Sequence, residues 1–370
     1  MDTKRYRLSE LLTIKNGKDY KHLNEGDIPV FGSGGYMLSV DSYLYDKVSI
    51  LLPRKGTLSN IQYYDKGKFW TVDTCFYSKI NEELVAPYYL YRYLKSLDLS
   101  GYDTGASIPS MTQKTYNSIK VEMPSLPIQQ KIASILSTYD NLIENNTKRI
   151  KLLEQMAENL YKEWFVRFRF PGHENVEMEN GLPKGWKRAK LSEIATYSTI
   201  KINSSIIDFY VSTENMLKDC AGVDTNMFIE APEGNVTKVC VNDILVSNIR
   251  PYFKKIWLAD KESGCSNDVL NIKANKGIDS SFLYYTIRKD SFFEHMVAGS
   301  NGTKMPRGNK NFTMKYQVIV PNDIVMKRFS NIAQKINEQK QNLLKQSSIL
   351  AHQRDLLLPR LMSGKLEVKV

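Results

Sequence analysis

The chain is poor in the residues that build metal and redox centres. Its four cysteines, Cys75, Cys220, Cys240 and Cys265, show no CxxC spacing, and none of the four histidines, His22, His173, His295 and His352, falls near one. This argues against a zinc site and for reduced, mostly buried thiols in a cytoplasmic protein. Long apolar runs are missing as well. No stretch of about 18 apolar residues could cross a bilayer, and "MDTKRYRLSE" does not read as a signal peptide, so no membrane association is expected.

Catalytic signatures are equally scarce. No G-x-x-x-x-G-K-[ST] occurs, which excludes a P-loop ATPase. Neither Asn-Pro-Pro nor Asp-Pro-Pro followed by an aromatic occurs, the tetrapeptide with which amino-methylating enzymes grip a target amine. "VFGSGGY" at 30–36 matches neither G-x-G-x-x-G nor the F-x-G-x-G of a methyl-donor pocket, since Ser33 stands where Gly is needed. It reads as a hairpin or loop, with a phosphate contact at Ser33 as the other possibility. Scattered Asp and Glu offer no paired metal site for a nuclease.

The last absence is constructive. Between Pro127 and Pro171 there is neither Gly nor Pro, so nothing local breaks a helix of roughly 40 residues, about 60 Å long. Steps of four and three from Ile132 meet Leu136, Tyr139, Ile143, Asn146, Ile150, Leu153, Ala157, Leu160 and Trp164, a seam broken only by Asn146. A second seam runs from Val325 through Phe329, Ile332, Ile336, Gln339, Leu343, Gln346, Leu350, Gln353 and Leu357, with Pro359 expected to stop it. Two ordinary core helices are the alternative, but globular helices seldom run so long.

Between the seams the sequence repeats. "LSELLTIKNGK" (8–18) is echoed by "LSEIATYSTIK" (191–201), and "YYLYRYLKS" (88–96) by "SFLYYTIRKDS" (281–291). Each of the latter precedes a Gly-containing loop, "TGASIP" or "NGTKMP", and then "KVEMPS" or "QVIVPN" opens a long helix. The same 197 residues separate Pro109 from Pro306 and Pro124 from Pro321. The pattern is a tandem duplication of a mixed α/β unit followed by a rod. A compact domain is too small to bridge rods pointing the same way, so two antiparallel coiled-coil helices with a pseudo-twofold relation are expected.

Lys and Arg outnumber Asp and Glu by 51 to 40, a formal charge of +11, which favours a polyanionic partner. The excess lies mainly in the second half: 19 basic against 14 acidic residues in 183–321, and 9 against 4 in 322–370. "LLPRKGTLSN" sets Arg54, Lys55, Thr57 and Asn60 in a loop after a buried strand, and its counterpart "SNIRPYFKK" offers Asn248, Arg250, Tyr252, Lys254 and Lys255. Arg and Asn read base edges, while Lys and backbone amides hold phosphates. Thr104, Ser107, Asn301, Thr303 and Lys304 in the Gly loops, and Lys15, Lys18 and Lys201 in the echoed segments, complete the candidate DNA-binding set with Ser33. For each of these a solvated loop is the alternative. Tyr88, Tyr89, Tyr91 and Tyr93, at helical spacing, read as packing.

These repeats, together with "GLPKGW" (181–186), "LPIQQKIASIL" (126–136) and "LLLPRLMSGKLEV" (356–368), resemble the DNA-specificity subunit of type I restriction-modification systems over essentially the whole chain. The resemblance implies two target-recognition domains at 1–123 and 183–320, each reading half of a bipartite duplex DNA target. It implies conserved spacer helices at 124–170 and 321–370, with a linker at 171–182. It also implies a non-catalytic subunit that binds no cofactor itself. S-adenosylmethionine would be bound by two methyltransferase subunits acting on adenine N6, and ATP and Mg by restriction and motor subunits. A protein-binding scaffold with paired domains on a coiled-coil rod is the alternative, and a self-sufficient nucleic-acid enzyme is disfavoured by the missing motifs.

Overall fold

The computed structural model describes every residue except Met1, Thr104, Ala106, Thr303, Lys369 and Val370. The chain divides into two units, residues 1–147 with 344–370, and residues 148–343. Each holds one mixed α/β domain together with part of both long helices.

In the first unit, β1 (Leu12–Asn16), β2 (Ser49–Pro53), β3 (Gln62–Tyr64) and β4 (Cys75–Ile80) form an antiparallel sheet in the order β1-β4-β2-β3. Every residue of β2, "SILLP", is buried, so the strand reads as a continuous apolar run rather than an alternation. The helix Pro87–Ser96 buries Tyr89, Leu90 and Leu94 in the same core, and the packing role of its tyrosines is visible where Tyr63 stacks on Tyr91 with centroids 5.4 Å apart. "LSELLTI" is only half helical. One turn, Leu8–Leu11, gives way to β1, because Leu12 and Ile14 point inward and Thr13 and Lys15 outward, the period of a strand. The glycine-rich segment is the turn of a hairpin between Glu25–Gly32 and Gly35–Val40, with Gly35 at φ +118°.

The second unit repeats this order. Its β5 (Ala195–Tyr197), β6 (Ile244–Ser247), β7 (Ile256–Leu258) and β8 (Val269–Ala274) are arranged β5-β8-β6-β7. The helix Ser280–Ile287 takes the place of Pro87–Ser96, capped by the Asp279 side chain. A smaller sheet is built from Lys201–Asn203, Tyr210–Val211, Asn235–Val239 and Ser263–Cys265. Cys75, Cys220, Cys240 and Cys265 are all free. Burial pushes the thiols of Cys75, Cys220 and Cys265 up to about 12, which leaves them protonated and inert.

The long helices are α1 (Leu126–Tyr161, 36 residues) and α2 (Asp323–Met362, 40 residues). Helix α1 continues as one wider π turn over Lys162–Val166, which swings Trp164 and Phe165 into the second unit's core. All ten seam positions of its sequence are buried or half-buried. The second seam differs from its expected path. Ile332, Gln339, Gln346 and Gln353 are exposed, and Ala333, Lys340, Ser347 and Arg354 take their places. The three glutamines therefore do not face α1. The polar seam residues have partners across it instead. In the first unit Arg354 Nη1 lies 2.5 Å from Asp140 Oδ1, and Asn146 Nδ2 donates to Ser347 Oγ at 3.3 Å. In the second, Lys340 Nζ lies 3.2 Å from Glu154 Oε1. Numbers rise along one helix as they fall along the other, so the helices pair antiparallel. Pro359 does not stop α2, since it sits in the last turns, where the carbonyl it leaves unpaired is at the exposed Asp355. Among the described residues no helix is long and apolar enough to cross a membrane.

Candidate nucleic-acid interface

Three loops converge beyond the end of β2. Arg54 N donates to Thr74 O at 2.9 Å, Gly56 N to Pro109 O at 2.8 Å, and Met111 N to Arg54 O at 3.0 Å. Asn60 Nδ2 donates to Ser33 O at 2.6 Å, which ties the hairpin turn to the same cluster. On the other side Lys18 N donates to Thr71 O at 2.8 Å, and Trp70 Nε1 to Lys18 O at 2.9 Å. The approach is so close that a Cβ on Gly17 would lie 2.0 Å from Val72 O, so only glycine fits. This framework leaves Lys15, Lys18, Arg54, Lys55 and Thr57 exposed on one unit, with Ser107 exposed nearby in the loop that ends at Pro109. Arg54 Nη1 makes a 3.4 Å contact with Asp73 O.

The second unit uses the same backbone pattern. Asn248 N donates to Asp268 O at 2.8 Å, Arg250 N to Pro306 O at 2.8 Å, and Gly308 N to Asn248 O at 2.9 Å. By these bonds Asn248 stands where Arg54 stands, and Arg250 where Gly56 stands. The two segments read as counterparts in the sequence therefore match with Asn248, not Arg250, opposite Arg54. Arg250 accordingly takes the left-handed conformation of its glycine counterpart, φ +49° against +92°. A non-glycine residue there is strained, a feature that concentrates at binding sites.

The predicted residues of this unit have different fates. Asn248 is only 8% exposed, too enclosed to reach a base edge, and its Oδ1 packs where a side chain on Gly308 would be. Lys254 pairs with Asp290 at 2.6 Å. Lys255 donates to Thr213 O at 2.6 Å, and burial, with Lys218 nearby, lowers its pKa. These three serve the domain's own architecture. Lys201 lies on the smaller sheet, donating to Thr237 Oγ1. Tyr252 is exposed, and Arg250 is half-exposed with its guanidinium 6.0 Å from the Phe253 ring. Asn301 and Lys304 are exposed beside them. Thr104 and Thr303 lie outside the described residues.

Sequence reading passed over two residues that build these loops. Arg307 exchanges backbone hydrogen bonds with Asn301 at 2.9 and 3.0 Å and pairs with Asp268 at 3.2 Å. It occupies the position of Ser110, so its charge was masked by a polar, uncharged partner in the other repeat. In the first unit Asp103 Oδ1 accepts from Gly105 N and Ser110 N, both at 2.8 Å. These amides hold the Asp103 carboxyl below the usual carboxylate range. A depressed pKa stabilises the loop above the ordinary carboxylate range, and that contribution is lost as pH falls through the lowered value. At neutral pH, Asp103→Ala should speed amide hydrogen exchange at Gly105 and Ser110 while leaving the melting temperature nearly unchanged. Unaltered exchange at both amides would show that the clamp is dispensable.

Two units with one loop framework, each edged by exposed cations, invite comparison with known proteins. Residues 1–155 match the model of the type I restriction modification DNA specificity domain. Over that segment the chain is similar to a type I specificity domain. The segment contains the first unit's whole loop framework, from Lys15 to Met111. Beyond it, the chain is 24% identical over 325 residues to the type I restriction enzyme MjaIX specificity subunit of Methanocaldococcus jannaschii, covering 81% of this chain and 73% of the relative. It is also 24% identical over 360 residues to the type I restriction enzyme EcoDI specificity subunit of Escherichia coli, covering 87% and 78%. The resemblance to type I specificity subunits read from the sequence therefore holds. A crystal structure of a type I restriction-modification system S subunit from M. genitalium shares the fold, with a TM-score of 0.61 at 16% identity over 97% of this chain and 96% of that one.

Proposed function

We propose that this chain is the DNA-reading subunit of a cytoplasmic type I restriction-modification complex. Residues 1–123 and 183–320 act as its recognition domains, each reading half of a bipartite duplex target. The observation that supports this best is the loop framework built twice from the same backbone hydrogen bonds, with Arg54 and Lys55 at its edge in one unit and Lys304 and Arg307 in the other. No catalysis is assigned to the chain, and no cofactor of its own. It recruits two methyltransferase subunits, which bind S-adenosylmethionine and methylate adenine at N6, and the motor and restriction subunits, which use ATP and Mg. The helices act as a ruler that fixes the unread gap.

The ruler can be tested directly. Deleting residues 148–154 from α1 and 340–346 from α2 removes seven residues from each, two turns or about 10 Å, together with the ion pair Glu154–Lys340 and no other described seam pair. The gap in the sequence selected from a random duplex library should shorten by about three base pairs, at about 3.4 Å each. A selected gap of unchanged length would defeat the proposal.

A further inference from the structure

Ile108 and Met305 are left without a task by the DNA-reading proposal. Each immediately precedes the proline whose carbonyl closes the loop framework, Pro109 onto Gly56 and Pro306 onto Arg250. Like those prolines, they are separated by 197 residues. Both are large apolar side chains, 59% and 52% exposed. A single exposed apolar residue is ordinary on a protein surface. Two at one framework position, in loops that otherwise share only a Gly and a Pro, call for a common cause.

Packing does not supply that cause, because neither side chain belongs to a hydrophobic core cluster of its unit. The loops are nevertheless closed at their bases. Asp103 clamps Gly105 and Ser110 in one, and Asn301 and Arg307 are bonded to each other in the other. The apolar residue is thus exposed beside the anchor of its loop. Cations lie close by: Lys55 bridges to Ser110 in the first unit, and Lys304 and Arg307 flank Met305 and Pro306 in the second.

Resting on the reading that these domains bind duplex DNA, the geometry points to Ile108 and Met305 as matched wedges, each entering a base step of the half-site its own domain reads. Ile and Met are among the apolar side chains that proteins insert between base pairs to unstack and kink a duplex. The other apolar use of such a residue is contact with a thymine methyl, which is specific to sequence. Two domains with diverged loops would not keep a sequence-specific contact at one position, whereas a wedge tolerates any pair of bases and suits both. Flanking Lys and Arg residues gripping phosphates offset the loss of stacking.

The test uses the full chain. Duplexes that it enriches from a random library are resynthesised with 2-aminopurine at successive positions, and fluorescence is read on binding. The wild-type chain should raise emission several-fold at one step in each half of the site. Ile108→Ala should abolish the rise in one half only and Met305→Ala in the other half only. Ile108→Leu and Met305→Leu should keep it, and all four variants should still bind the duplex. Enriched duplexes with no rise, or a rise that both alanine variants preserve, would overturn the wedge and leave DNA reading intact. Failure to enrich any duplex would overturn both.

Discussion

Replacing Asp140 with Ala should destabilise the first unit by about 3 kcal/mol, the cost of leaving a buried cation without its counter-charge. Asp140 of α1 is a hub. Tyr88 Oη donates to it, Arg92 Nη1 lies 3.4 Å away, and Arg354 Nη1 of α2 lies 2.5 Å away. The Arg92 side chain is only 6% exposed and its Nε has no hydrogen-bond partner among the described residues, so its charge depends on this carboxylate. Asp355 is a further partner at 3.9 Å, more exposed and therefore weaker. Asp140→Asn keeps the shape and part of the hydrogen bonding, and should cost less than half as much. Urea unfolding, with amide exchange along Pro87–Ser96 to report on the first unit, measures both. A loss below about 1 kcal/mol for the alanine variant would mean that Arg92 escapes to solvent and the hub is ornamental. The second unit uses the same device, with Arg288 of the domain paired to Glu158 of α1.

The second large effect is on DNA affinity. Each phosphate held by a side chain contributes roughly 0.9 to the slope of log affinity against log salt. The variant Arg54→Ala, Lys55→Ala, Lys304→Ala, Arg307→Ala should therefore lower that slope by roughly three to four if all four hold phosphates. The ion pair of Arg307 with Asp268 is solvent-exposed and contributes little to folding, so the fold should survive. By contrast, Lys255→Ala should leave the slope unchanged, since that ammonium is already committed to Thr213 O. Fluorescence anisotropy on a mixed-sequence duplex between low and moderate salt gives these numbers. Equal slopes for the fourfold variant and the wild type would remove these loops from the interface.

Much of the architecture was legible in the sequence because it rests on local rules. The uninterrupted run after Pro127, the buried "SILLP" strand and the constant spacing between prolines each leave a signature in one dimension. The α2 seam was misread because stepping along a single helix favours the most apolar choice at each step. It picked Ile332 over Ala333, although the close approach of helices wants the smaller residue, and it discarded Lys340, Ser347 and Arg354, whose burial makes sense only beside Glu154, Asn146 and Asp140. Partnership of this kind is invisible until both strands of a pair are known.

The candidate interface was harder to read for a related reason. Basic residues near a turn look alike in a sequence whether they face solvent, as Arg54 does, pair at the surface, as Lys254 does with Asp290, or turn inward, as Lys255 does. Similarly, Asn248 and Arg250 could be placed only by the backbone bonds that fix their loops. Arg307 and Asp103 left no signal, because each has an unlike residue at the corresponding place in the other repeat.

The matched polar pairs along the helices also constrain how such a protein can change over generations. Adding or removing a turn in one helix alone would slide Asp140, Asn146 and Glu154 past their opposite numbers and strand charges at the seam. Heritable changes of length should then arise in compensated couples, or by exchange of entire halves between related genes, and a lone insertion should be culled.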